Sequence, residues 1–181
     1  CHNDGEDARL YDAVKAVSDF AINLGINVTT GKDSLSMKQR YKDQEVLSPG
    51  TVIISAAAHC NDIKKVVEPM FQKKAASIYY LDFSQHNLEL GGSALFQLLN
   101  KVGKKAPSIN DDSLFKTKFN AIQLLIKQGK IASGHDISSG GLITTLLELC
   151  FAENDLGADI DFKDFKEKDL TKLLFAENSG I

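Results

Sequence analysis

The amino-acid pattern points to an α/β (α+β) fold, with a mixed sheet covered by helices. Apolar positions recur at helical spacing near the N-terminus, and two runs of small and β-branched residues suit buried strands. From Ser77 onward, strand-like and helix-like runs alternate, as they do when helices pack on a sheet.

Leu10, Ala13, Val14, Val17, Ala21 and Leu24 share one face of a predicted amphipathic helix over 8–24, with Gly25 placed to cap its C-terminus. "INVTT" is a short β-prone run leading into the loop "GKDSLSM". The polar stretch "KQRYKDQEVLSPG" precedes "TVIISAAAHC", which reads as a buried strand with His59 as a satisfied core histidine. "NDIKKVVEPMFQKK" reads as a brief helix broken at Pro69 and then a linker. A domain boundary is expected here, dividing the chain into 1–62 and 63–181.

"SIYYLDF" is a second strong strand, and "GGSALFQLLN" opens a helix on glycines and a serine. After the loop "GKKAPSINDD" comes the long amphipathic helix "DDSLFKTKFNAIQLLIKQGK". "IASGHD" is a strand end, "GGLITTLLELCFAEN" a helix, "GADIDF" an edge-like strand and "EKDLTKLLFAE" a last short helix. "FAEN" occurs at Phe151 and again at Phe175, too short a match to mark a repeat.

The 181 residues are enough for one domain or two small ones with a real core. Apolar residues make up 43% and charged residues 25% of the chain. A net charge of -3, with the cations dispersed, offers no stripe for nucleic acid. No apolar run approaches the ~20 residues of a membrane span, and the acidic start "CHNDGEDARL" does not read as a signal peptide. Cys1, Cys60 and Cys150 are widely spaced and form no zinc pattern. Cys150, in an apolar run, reads as a small hydrophobe, and a reducing, cytoplasmic setting is expected. The chain starts without Met in a loop-like stretch and stops where a strand is beginning, so it reads as a piece of a longer protein.

Chemistry concentrates in "IASGHDISSGGL". Gly134, Gly140 and Gly141 let backbone approach a ligand, and the helix start near Ser139 favours an anion. Asp136 would repel a phosphate directly but suits Mg²⁺ held between carboxylate and phosphates, with Ser138 donating nearby. The same residues also suit a plain N-cap and a tight strand-to-helix turn. In "TTGKDSLSM", Gly31 allows a sharp turn, Lys32 offers a cation, and Asp33 and Ser34 offer oxygens; the Walker spacing is absent. "LGGSALF" is a third glycine-led helix start. His135 is either a partner of Asp136 or a turn residue. No serine or cysteine sits in a nucleophile elbow, which argues against a hydrolase.

Taken together, "GEDARLYDAVKAVSDF", "GKDSLSMK", "LSPGTVIISAAAH", "GHDISSGGL" and "LFAENSG" resemble successive motifs of the phosphoribosylformylglycinamidine synthases. The likeness is to the large single-chain form (formylglycinamide ribonucleotide amidotransferase) and spans nearly the whole chain. It implies an aminoimidazole ribonucleotide synthetase-like fold: residues 1–62 as the end of the second N-terminal-type subdomain, 63–181 as most of the second C-terminal-type one. It also implies a reaction of purine biosynthesis. ATP phosphorylates the amide oxygen of formylglycinamide ribonucleotide, and ammonia from a separate glutaminase domain displaces the phosphate.

The resemblance makes Asp136 a magnesium ligand and Ser138 a nucleotide contact on ATP or ADP. Gly31 and Lys32 fall in a loop that contacts nucleotide, and Ser34 on its substrate side. Glu177, Asn178 and Ser179 fall in a substrate loop. Two departures stand out: Lys32 replaces a metal-binding Asn, and Ser139 replaces an Asp, removing a charge near the metal. The family's remaining metal ligands, its catalytic histidine and its glutaminase triad match no residue here, so this piece is expected to be inactive alone. The alternative reading is a non-catalytic structural half whose auxiliary Mg-ADP site braces the fold.

Overall fold

The computed structural model describes residues 3–34, 36–73, 77–153 and 155–181. Cys1, His2, Leu35 of the "GKDSLSM" loop, residues 74–76 of the expected linker and Asn154 lie outside the described residues. The chain forms two compact units, Cys1–Cys60 and Asn61–Ile181. Its α+β character holds, with five α-helices and one antiparallel strand pair among the described residues.

In the first unit, helix α1 runs Glu6–Leu24. Leu10, Ala13, Val17, Ala21 and Leu24 are half-buried along one face as their spacing predicts, while Val14, at the edge of that stripe, is exposed. Glu6 and Asp7 place negative charge at the positive helix end. At the other end Gly25 takes a left-handed conformation (φ 78°), and Ile26 N–H reaches Ala21 O at 2.9 Å, closing the last turn as a glycine cap does.

Strands β1 (Lys38–Tyr41) and β2 (Gln44–Leu47) form a hairpin in the stretch that reads in sequence only as polar. Its two-residue turn, Lys42–Asp43, has Lys42 at φ 41°. Glu45 accepts from Arg40 at 2.8 Å and Lys38 at 3.1 Å; these bonds, Arg40's foremost, hold its carboxyl below the usual carboxylate range. Every residue of both strands is exposed, so the alternation that advertises a half-buried strand is missing.

"TVIISAAAHC" does not form the buried strand its composition predicts. Residues 51–60 are exposed throughout, Ile53 at 84%, and His59 is therefore no core histidine. β-branched composition favours a strand only where another strand supplies hydrogen-bond partners, and no backbone bond joins this run to another described segment.

The second unit begins with a 3₁₀ turn, Ile63–Lys65, capped by Asp62, in place of the expected brief helix. Helices α2 (Ala94–Leu98), α3 (Asp112–Lys127), α4 (Gly141–Glu148) and α5 (Leu170–Phe175) follow. Side-chain caps start three of them: Ser93 for α2, Asp111 for α3 and Asp169 for α5. The core is built from Leu88, Ile137, Leu142, Leu173 and Ala176, with Tyr80, Phe162 and Phe165 packed against it.

"SIYYLDF" contributes only its end to pairing. Leu81 and Ile181 exchange both backbone bonds (2.8 and 3.0 Å), and Phe83 N–H reaches Ser179 O at 2.9 Å. Ile137 N–H joins the same segment through Gly180 O at 2.9 Å. A Cβ on Gly180 would lie 3.1 Å from both Leu81 O and the Ile137 side chain, so glycine permits this three-way approach. "GADIDF" forms no ladder among the described residues, and α4 ends at Glu148, earlier than its apolar run suggests.

Candidate functional site

Asp136 and Ser138 sit on one exposed turn leading into α4. The turn is possible because Gly140 and Gly141 both take positive φ (89° and 75°). Between the two exposed residues, Ile137 points into the core. Alternation of an apolar anchor with polar neighbours therefore turns Asp136 and Ser138 outward. The Asp136 carboxylate is 76% exposed, while its carbonyl accepts from Thr145 Oγ1 at 3.2 Å and lies 2.7 Å from His135 Nδ1. The other ring nitrogen of His135 lies 3.1 Å from Glu148 Oε2. His135 thus straps the turn to α4, consistent with a partner of Asp136 as well as a turn residue.

The segment Glu177–Ser179 lies directly behind this turn. Glu177 Oε1 accepts N–H bonds from Gly140 and from Ala94, both at 2.8 Å. Ser93, the N-cap of α2, is 1% exposed and donates to Leu90 O at 2.7 Å. Two of the three glycine-led sites, Gly91–Ser93 and Gly140–Gly141, thus lie in the second unit and meet at Glu177, whereas the third, at Gly31, belongs to the first unit.

Asn178 is 1% exposed, with its amide donating to Tyr80 Oη at 2.7 Å and Asp82 Oδ1 at 3.3 Å. Asp82 is itself buried. It accepts from Ser84 N and Oγ (2.8 and 2.6 Å) and from His86 N, and its carbonyl accepts from Lys118 Nζ. Burial pushes the Tyr80 hydroxyl up to about 12; the Asp82 charge acts in the same direction and the Asn178 bond against it.

Sequence reasoning did not single out Asp82 or Tyr80. The available signal was an acid embedded in the strand-like "SIYYLDF", where a buried carboxylate must find donors.

Gly31, Lys32 and Ser34 belong to the first unit. All three are exposed, and Lys32 Nζ donates to Ser34 Oγ. Among the described residues no group of three or more His, Cys, Asp or Glu is arranged to hold a metal ion. The chain's offer at Asp136 is a single open carboxylate, which fits Mg²⁺ in the mode where one or two carboxylates share the ion with phosphates and waters. No helix among the described residues is long and apolar enough to cross a membrane.

Family comparison matches residues 78–181 to the AIR synthase related protein C-terminal domain. The chain belongs to that family. Residues 1–59 match the FGAR-AT PurM_N-like domain. Over nearly its whole length the chain is homologous to phosphoribosylformylglycinamidine synthases. It is 41% identical over 189 residues to the enzyme of that name from Dictyostelium discoideum, covering 97% of this chain. It is 39% identical over 194 residues to a probable synthase from Caenorhabditis elegans, and 37% over 180 residues to a probable chloroplastic/mitochondrial one from Arabidopsis thaliana; each covers 98% of this chain. The chain spans only 13–14% of the length of these relatives. Within the family frame, the turn at Asp136 and the segment at Glu177–Ser179 both fall in the AIR synthase related part.

Proposed function

We propose that the chain is part of an ATP-dependent synthetase of purine biosynthesis, a carbon–nitrogen ligase. The reaction converts formylglycinamide ribonucleotide, glutamine and ATP to formylglycinamidine ribonucleotide, glutamate, ADP and phosphate. In this reading residues 1–62 close the second N-terminal-type subdomain, and 63–181 form most of the second C-terminal-type one. The rest of the polypeptide, with a glutaminase domain as ammonia source, completes the enzyme in the cytoplasm. One observation carries the reading: the open carboxylate of Asp136 and the hydroxyl of Ser138 share an exposed turn at a helix start, in a chain homologous to these synthases.

Asp136 holds Mg²⁺ on nucleotide phosphates, and Ser138 hydrogen-bonds beside it. The ion, when bound, screens the phosphate charge from the carboxylate and supplies electrophilic assistance to phosphoryl transfer. The N–H groups at the start of α4 favour the same anion. In the first unit, Gly31 and Lys32 are assigned to nucleotide and Ser34 to substrate; in the second, the Glu177–Ser179 segment is assigned to a substrate loop.

A second reading makes this an auxiliary Mg-ADP site that braces a non-catalytic half. In that reading His135, set between Asp136 O and Glu148 Oε2, serves to hold the turn on α4. Turnover and thermal unfolding of the full-length polypeptide bearing Asp136→Asn separate the two. Lost rate at unchanged stability supports a catalytic site, and lost stability in saturating nucleotide supports the brace. A variant unchanged in both contradicts the assignment altogether.

A further inference from the structure

We infer that Glu177 is a positioning residue. Its carboxylate fastens the turn carrying Asp136 and Ser138 to the start of a second helix remote in sequence. The inference rests on the reading of that turn as the nucleotide side of the site. One atom, Glu177 Oε1, receives the N–H of Gly140, the N-cap of α4, and of Ala94, the first residue of α2, each at 2.8 Å. Amides in a first helical turn have no partner within their helix, and the positive end of a helix favours negative charge.

A second tie leaves the same segment: Gly180 O accepts Ile137 N–H at 2.9 Å. Ser138 and Ser139 are the span between these two anchors, and Asp136 adjoins the first. An exposed loop pinned at both ends has little freedom to lose when a ligand arrives, which is what a binding turn requires. Glu177 thus acts through the two amides, with its reach mattering more than its charge.

That distinction sets the test: calorimetric titration of Mg-ADP into the full-length polypeptide, with Glu177→Gln, Glu177→Asp and Asp136→Asn compared. Glu177→Gln keeps the length and an acceptor oxygen, so affinity is expected to stay within about fivefold of wild type. Glu177→Asp keeps the charge but is one methylene short of spanning both amides. Its affinity is expected to fall about tenfold or more. Without nucleotide, amide hydrogen exchange should rise together in 91–98 and 138–145 of the Asp variant.

Direct contact with the metal would order the variants the other way, so an Asp variant binding Mg-ADP as well as the Gln variant overturns the inference. Unchanged exchange in either segment does so as well. If Glu177→Asp does not fold, a loss beyond about fivefold in Glu177→Gln contradicts it. Asp136→Asn isolates the underlying reading. Full affinity there sinks the nucleotide assignment while the exchange result still decides the clamp. Weakened binding there, with both Glu177 variants like wild type, sinks the clamp alone.

Discussion

Gly140 and Gly141 share a positive φ (89° and 75°) yet differ in what surrounds them. A Cβ on Gly141 would come within 2.7 Å of Leu174 O and 2.8 Å of the Phe175 backbone, neither of which can move cheaply. On Gly140 the obstruction is one side chain rather than backbone: Thr144 Oγ1, which rotation moves, and Thr144 Cβ at 2.9 Å, which requires a small shift. Left-handed strain plus overpacking should make Gly141→Ala cost about 2–4 kcal/mol, and Gly140→Ala about 1–2 kcal/mol. Thermal unfolding of the two variants in the full-length polypeptide checks the order; equal transitions would contradict the close packing of α4 on α5. Tyr80 supplies a pH-dependent counterpart. Its folded pKa of about 12 exceeds the ordinary 10.0, so between those values the folded state keeps a proton the unfolded state has lost. The contribution is full below pH about 10 and declines toward pH about 12. Tyr80→Phe should flatten that part of the alkaline stability profile, and an unaltered profile would place the hydroxyl in solvent.

At the scale of elements, helices were legible because their signals are local. The stripe of α1 and its Gly25 cap, and the amphipathic α3, stand where the spacing puts them. Strands were not, because a ladder needs a partner distant in sequence. "TVIISAAAHC" opens on four β-branched residues and forms no strand, whereas the polar "KQRYKDQEVL" pairs with itself through a two-residue turn. The packing of α4 and α5 rests on Leu173, which is 2% exposed amid Leu88, Ile137 and Leu142. Leu173→Ala should destabilise by about 2–5 kcal/mol and shift the unfolding transition accordingly. A loss under about 1 kcal/mol would mean the site collapses to fill the space.

For the molecule as a whole, the exposed apolar residues are the leading physical fact. Ile53, Ile63, Leu98 and Val102 are each at least 80% exposed, and Tyr79 is 78% exposed. Exposed apolar surface favours association, so the 181-residue chain alone should self-associate. Spanning only 13–14% of the length of its relatives, it should also make no amidine product from ATP, substrate and ammonia. A monodisperse monomer by light scattering at high concentration, or detectable product, would count against this. Of the candidate site, the glycines, Asp136 and Ser138 were readable because a charged residue beside glycines at a helix start is a local pattern. The Glu177 bridge and the Asp82–Asn178–Tyr80 network were not, since both join residues more than thirty apart that only folding brings together.

The central claim is that Asp136 holds Mg-nucleotide. Asp136→Asn keeps the size of the side chain and removes its charge, and with the carboxylate exposed it leaves the packing untouched. Titration of Mg-ADP into full-length wild type and Asp136→Asn polypeptide is therefore the direct measurement. Affinity lower by about tenfold or more, with an unchanged thermal transition in the absence of nucleotide, is the expected result. Equal affinities would contradict it and leave "GHDISSGG" a structural turn.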